Sequence, residues 1–159
     1  MEEIVKLDYY NKQIILMCKL LLKKFGAPFR PPDLPKPIDM LIATILSQNT
    51  NDQNSFKAYQ KLKSRFPSWE EVNKARRTSI EEEIKIAGLG FQKSTAIKNL
   101  LSQLKSTTDK LDLSEINSKD DKESIEYLTN FKGIGVKTAS CVLLFSLDKN
   151  ICPVDTHLL

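Results

Sequence analysis

Apolar residues in this 159-residue chain recur at intervals of three and four rather than two, the period of helices packed on one face. Leu7, Tyr10, Ile14, Met17 or Cys18, Leu21 and Phe25 form the stripe of a first helix, and Gly26 is placed to end it. Residues 28–37 hold Pro28, Pro31, Pro32, Pro35 and Pro37, so this stretch reads as an extended connection. A second helix is predicted to start near Pro37, and its dense apolar run over residues 40–46 suits a central position. A polar cluster over residues 47–54 follows. The next helix carries Phe56, Tyr59, Leu62 and Phe66 and stops at Pro67, after which Ser68 caps a short helix with Trp69 and Val72.

Thr78 followed by Glu81 has the pattern of a capping box opening a helix with Ile80, Ile84 and Ala87, which Gly88 stops. Leu89, Gly90 and Phe91 read as a tight turn. A helix with Ala96, Ile97, Leu100, Leu101 and Leu104 comes next, then a polar, mixed-charge stretch over residues 105–124, predicted as a surface linker with one turn of helix at most. Ile125, Leu128 and Phe131 mark another helix, and residues 138–147 are apolar enough for a buried one. The pattern is all-α. It divides into an N-terminal helix with its proline-rich connection (1–36), a helical body (37–148) and a final segment (149–159).

Charge adds little at first. Twenty-four basic against twenty acidic residues give a net charge of +4, which permits an anionic partner without requiring one. No apolar run reaches the ~18 residues of a membrane span, and the acidic start lacks a secretory pattern, so an intracellular protein is expected. Cys18, Cys141 and Cys152 are odd in number and far apart, which argues against a disulfide framework. With one histidine, His157, they offer no protein-only zinc site, and three cysteines cannot hold an iron–sulfur cluster that needs four.

The most informative stretch is residues 128–140, which read as helix, two-glycine turn, helix. Glycine at 133 and 135 lets a ligand approach the backbone closely. A helix beginning just after Gly135 offers open amides and the positive end of its dipole, a natural seat for a DNA phosphate, with Lys132 and Lys137 adding charge. Such a contact holds a duplex without reading its sequence. An ordinary helix–helix turn would show the same glycines. The pattern is not a dinucleotide fingerprint, since no strand precedes it and Thr138 stands in place of the third glycine, and it lacks the lysine and hydroxyl ending of a nucleotide triphosphate loop.

This segment resembles the helix–hairpin–helix of the endonuclease III superfamily of DNA glycosylases, with the hairpin unit at about residues 123–147. Residues 133–139 are similar to the family hairpin and its catalytic lysine, and Val154-Asp155-Thr156-His157 to its catalytic aspartate signature. Asp155 follows Lys137 by 18 positions, the family spacing. Residues 46–52 and 88–93 agree as well, so the resemblance spans roughly residues 37–159.

The resemblance implies a base-excision DNA N-glycosylase with AP lyase activity acting on damaged double-stranded DNA. Lys137 would attack sugar C1′, displace the base and form a Schiff base that permits β-elimination. Without the family context, Lys137 is a lysine on a first helical turn, and Asp155 is a good helix cap. His157 is read as structural or duplex-facing. A polar residue must fill the gap that a flipped nucleotide leaves; alignment favours Asn49 for that role and reach favours Gln48, while both also suit a plain helix end. Asp52 is expected to cap the following helix. Lys93 would touch backbone phosphate or the lesion-facing loop, or lie solvated.

The DNA-binding set is therefore Gln48, Asn49, Lys93, Lys132, Gly133, Ile134 and Gly135, with Lys137 and Asp155 catalytic and no resident metal or cofactor; the resemblance leaves room for a monovalent cation at the hairpin. The chain departs from the family at Lys132, where proline is usual, at Val136, where a basic residue is common, and at Thr129, where endonuclease III has glutamate. Oxidised pyrimidines are the default substrates. Cys141 and Cys152-Pro153 echo the 8-oxoguanine branch, and uracil or thymine mismatches stay open.

The chain stops four residues beyond Asp155, where family members continue with further helices and often an iron–sulfur cluster. A shortened form or fragment is expected, with an apolar surface suited to self-association or a partner. A non-catalytic DNA-binding module and a helical protein-interaction module are the competing expectations.

Overall fold

The computed structural model describes residues 2–28 and 31–154, and the side chains of all of these except residues 2–5. The chain divides into two units, Met1–Asp33 and Leu34–Leu159.

The first unit carries helix α1, Glu2–Phe25. Gly26 ends it as the pattern predicts: its φ of +77° suits glycine, and its amide donates to Leu22 O at 2.9 Å. The predicted stripe does not find a core here, since Leu7, Ile14, Met17, Leu21 and Phe25 are all exposed.

The second unit is built around α2, Pro37–Ser47. Proline at the first helical position sacrifices an amide that would have no acceptor anyway. The dense apolar run does become the centre: Leu41, Ile42, Ile45 and Leu46 are fully buried. Around α2 stand α3 (Asp52–Arg65), α6 (Gly90–Thr108) and α8 (Val136–Leu147), and its most extensive packing is against α8. The short α4 (Trp69–Lys74) and α5 (Arg77–Ile84) lean on α6, and α7 (Asp121–Thr129) packs on α8. No strand occurs among the described residues.

Polar side chains pin the start of α2. Asp39 Oδ1 accepts from Tyr59 OH at 3.0 Å and from Trp69 Nε1 at 2.9 Å, so one carboxylate joins α2, α3 and α4. Burial and the nearby Asp39 charge both raise the Tyr59 pKa, which keeps the phenol a donor. Lys63 lies 4.4 Å above the Trp69 ring and covers its outer face.

Four local expectations need correction. Asn51, not Asp52, caps α3, accepting from Asn54 N at 2.9 Å, and Asp52 is the first residue inside the helix. Thr78 and Glu81 form no capping box: α5 starts at Arg77 with Arg76 as its cap, so Thr78 already has helical geometry and Glu81 pairs with Arg77 instead. The tight turn is centred on Gly88 and Leu89, both with positive φ, and Gly90 already belongs to α6.

Residues 105–124 are not a surface linker either. The polar residues there face water while Leu111, Leu113 and Ile116 insert into the core around a 3₁₀ turn at Ser114–Ser118. Three isolated apolar residues without helical period carry no sequence pattern, yet each removes its side chain from water, worth about 1.5–3 kcal/mol for a fully buried leucine or isoleucine.

Candidate nucleic-acid interface

The hairpin is assembled by its apolar residues. Asp120 and Glu123 close a capping box on α7, and Leu128 and Phe131 bury the far end of that helix. The Tyr127 ring stands edge-on to Phe131 at 5.6 Å, and burial, aided by Glu115, pushes its hydroxyl up to about 12. Gly133 then takes a φ of +88°, and a Cβ at either Gly133 or Gly135 would meet nothing within 4 Å. The turn is thus bare on its outer side. Gly133 is needed for its backbone angle, while Gly135 keeps the cap free of a side chain.

Ile134 differs from its neighbours. It is 5% exposed, and its amide donates to Phe131 O at 3.0 Å. It is a peg that anchors the turn from inside, so its expected role as a DNA contact is corrected: neither its side chain nor its amide faces outward.

Beyond the turn, the ladder of α8 begins with Ala139 N donating to Gly135 O at 3.0 Å. The amides ahead of it lie outside the ladder, no side chain caps them, and no acidic residue occupies the first turn. Exposed Lys132 and Lys137 flank this end. The arrangement is an open, positively polarised helix terminus with two cations beside it, suited to an anion. Further along α8, burial pushes the Cys141 thiol up while the Lys137 charge draws it the other way. Asp155, Thr156 and His157 lie outside the described residues.

Elsewhere in the second unit, α2 ends at Ser47, and exposed Gln48 and Asn49 form the turn after it. Asn49 has a φ of +50°, a left-handed conformation that asparagine tolerates better than most residues. Between α2 and α3 runs an open groove of about 460 Å³, lined by Met40, Thr44, Ser47, Asp52, Phe56 and Tyr59 among others. Its walls are largely apolar, with a few hydroxyls and Asp52 placed among them.

Lys93 is neither a phosphate contact nor a solvated lysine. It is 2% exposed, and its Nζ donates to Leu46 O and to Ala87 O, each at 2.8 Å. This corrects its expected DNA-binding role: the ammonium is consumed inside the protein, and burial lowers its pKa. Nothing in its spacing distinguishes it from a surface lysine, because its acceptors are backbone atoms.

A surface feature that pattern reading missed is Leu89. It is 45% exposed with a φ of +49°, an uncommon conformation for an exposed leucine, at the tip of the turn that precedes α6. Its flanking glycines were the available signal. Thr129 is occupied by its own helix, donating to Ile125 O at 2.9 Å. Among the described residues no group of His, Cys, Asp and Glu could hold a metal ion, and no helix is long and apolar enough to cross a membrane.

Comparison with known proteins agrees with the all-helical fold. Residues 42–159 match the family described as HhH-GPD superfamily base excision DNA repair protein. An Arabidopsis thaliana protein named as a DNA glycosylase is 42% identical over 120 residues, which cover 76% of this chain and 41% of that protein. Endonuclease III of Sulfolobus acidocaldarius is 36% identical over 121 residues, covering 74% of this chain and 51% of that one. The chain thus spans about half the length of these relatives. A solved non-covalent endonuclease III–DNA complex superposes with a TM-score of 0.74 at 22% identity, covering 92% of this chain and 64% of the other, a likeness of fold. The all-helical body, the glycine hairpin and the family match together establish that this chain belongs to the HhH-GPD superfamily of base excision DNA repair proteins.

Proposed function

We propose that the chain acts on damaged double-stranded DNA as a base-excision N-glycosylase with AP lyase activity. The observation that carries this reading is the uncapped start of α8 behind the bare Gly133–Gly135 turn, with Lys132 and Lys137 beside it. A duplex phosphate seated there would hold the strand by shape and charge.

In this reading the neutral amine of Lys137 attacks C1′ of the damaged nucleotide. The Nζ–C1′ bond forms as the C1′–base bond breaks, and the base departs with the electron pair and takes up a proton. Opening of the sugar ring leaves an iminium at C1′. Loss of a C2′ proton then expels the 3′ phosphate, and water releases the lysine. Asp155 is assigned the stabilisation of positive charge on the sugar as the base leaves, a role that favours a carboxylate in a site from which water is largely excluded.

The Gln48–Asn49 turn is assigned to the space vacated in the duplex, and the groove beside Ser47 to the extruded base. Its apolar walls and scattered polar groups suit a base that must be both stacked and hydrogen-bonded. Oxidised pyrimidines are the favoured substrate class, supported by the likeness to endonuclease III.

Borohydride trapping tests the whole assignment. Duplexes carrying an abasic site, thymine glycol, 8-oxoguanine or uracil are incubated with the wild type, Lys137→Ala and Asp155→Asn. The expected result is a covalent adduct on the abasic and thymine glycol duplexes that Lys137→Ala abolishes and Asp155→Asn reduces by at least tenfold. Reaction confined to 8-oxoguanine or uracil would move the substrate class. A folded wild type that binds duplex but never forms an adduct would leave a non-catalytic DNA-binding module.

A further inference from the structure

Among the described residues Lys93 is the one fully buried ionisable side chain. Burying an ammonium is costly, and an apolar side chain would fill the same space without that cost. The partners of Lys93 show what the charge does there. Neither is a carboxylate. One is Leu46 O, in the last turn of α2, and the other is Ala87 O, the last residue of the 3₁₀ turn Lys85–Ala87. A single ammonium thus clasps the ends of two elements that are 41 positions apart in sequence.

Each of these ends leads directly to a strained surface tip. Three residues after Leu46 stands Asn49 with a φ of +50°, and two residues after Ala87 stands Leu89 with a φ of +49°. Both tips are exposed. Non-glycine residues hold left-handed angles only where their surroundings fix them. A charged donor is well matched to the carbonyl end of α2, where the helix dipole is negative.

We propose that Lys93 is a positioning residue for duplex opening: by clasping the carbonyls of Leu46 and Ala87 it locks the Gln48–Asn49 turn, in register with the Leu89 turn, in the pose that enters the duplex. The inference rests on the reading of the Gln48–Asn49 turn given above. It places the function of Lys93 in geometry transmitted through the backbone rather than in any contact with DNA.

The test uses a duplex with a tetrahydrofuran abasic analogue beside 2-aminopurine, whose fluorescence rises when its neighbours unstack. The wild type at saturation is expected to raise the signal, and the double variant Gln48→Ala/Asn49→Ala to lose the rise. Lys93→Met is expected to cut the rise at least fivefold while its affinity for undamaged duplex, held at the hairpin, stays within twofold. Lys93→Arg, which keeps donors for both carbonyls, is expected to restore at least half of the rise, a rescue that mere loss of packing would not predict.

Where Lys93→Met fails to fold, Lys93→Gln replaces it under the same criterion, since a shorter amide cannot span both carbonyls. An undiminished rise in a folded Lys93 variant, alongside its loss in Gln48→Ala/Asn49→Ala, overturns the positioning role and leaves the reading of the turn intact. A rise that survives Gln48→Ala/Asn49→Ala overturns the reading of the turn, and the proposal with it.

Discussion

Two helix ends in this protein solve the same electrostatic problem in opposite ways. The C-terminus of α2 has carbonyls in need of donors, and a buried lysine is brought 2.8 Å from one of them. The N-terminus of α8 has amides in need of acceptors, and the protein gives it no capping side chain and no acidic residue. The first end is closed from within and fixes a surface turn; the second is left open to the outside, beside exposed Lys132 and Lys137. Lysine serves both, by donating inward at one and by adding surface charge at the other. The fold, not the spacing along the chain, brings two backbone acceptors to the buried Lys93 ammonium.

Breaking the closed end should have the largest effect on stability. Lys93→Met strands two buried carbonyls, each costing about 1–3 kcal/mol when left unsatisfied, and removes the cost of burying the ammonium, so an unfolding free energy lower by about 2–4 kcal/mol is expected from denaturant titration. A loss under 0.5 kcal/mol would mean that water or another donor replaces the ammonium and the clasp is dispensable.

At the open end the next largest effect belongs to Gly133. A side chain at φ +88° costs about 1–2 kcal/mol in backbone strain, although the space beyond it is empty. Gly133→Ala should show that loss in the same titration together with weaker duplex binding, whereas Gly135→Ala, at an ordinary φ of −95°, should lose less than half as much stability. Equal losses at the two glycines would refute the distinction drawn between them.

Lys132→Ala should leave stability within about 0.5 kcal/mol, as is usual for an exposed lysine. If Lys132 meets a phosphate, the slope of log affinity against log salt should fall by about 0.9. An unchanged slope places the phosphate elsewhere.

The smallest effect is a pH dependence. Burial lowers the folded-state pKa of Lys93 below its unfolded value of about 10.4, so between the two the unfolded chain binds more protons. The stability of the wild type relative to Lys93→Met should therefore rise with pH across the alkaline range just below about 10.4 and flatten above it. A relative stability that falls there would reverse the sign of the shift and show the ammonium to be favoured inside the protein.

Much of the scaffold was legible along the chain. Proline 37, the run at residues 40–46 and Gly26, Ser68 and Gly135 all mark ends or centres that the structure keeps, because local sterics and helix-terminus hydrogen bonds act within a few residues. The hairpin was readable for the same reason: Gly133 and the start of α8 are local backbone features. Where several starts compete, local patterns were not enough. The Thr78–Glu81 box lost to an earlier start because Arg77, held to Ser94 at 3.1 Å and stacked 4.4 Å from the Phe91 ring, ties α5 to α6.

What the sequence alone determined is the all-helical pattern, the glycine hairpin and the Lys137–Asp155 spacing, since each depends on intervals along one chain. Only the tertiary structure decided that Lys93 faces inward, that Ile134 is a peg rather than a contact, that Leu111, Leu113 and Ile116 belong to the core, and that Leu89 stands exposed. These outcomes depend on backbone carbonyls and apolar surfaces brought together from distant positions. A carbonyl is the same at every residue, so no pattern of side chains announces which one a lysine will meet.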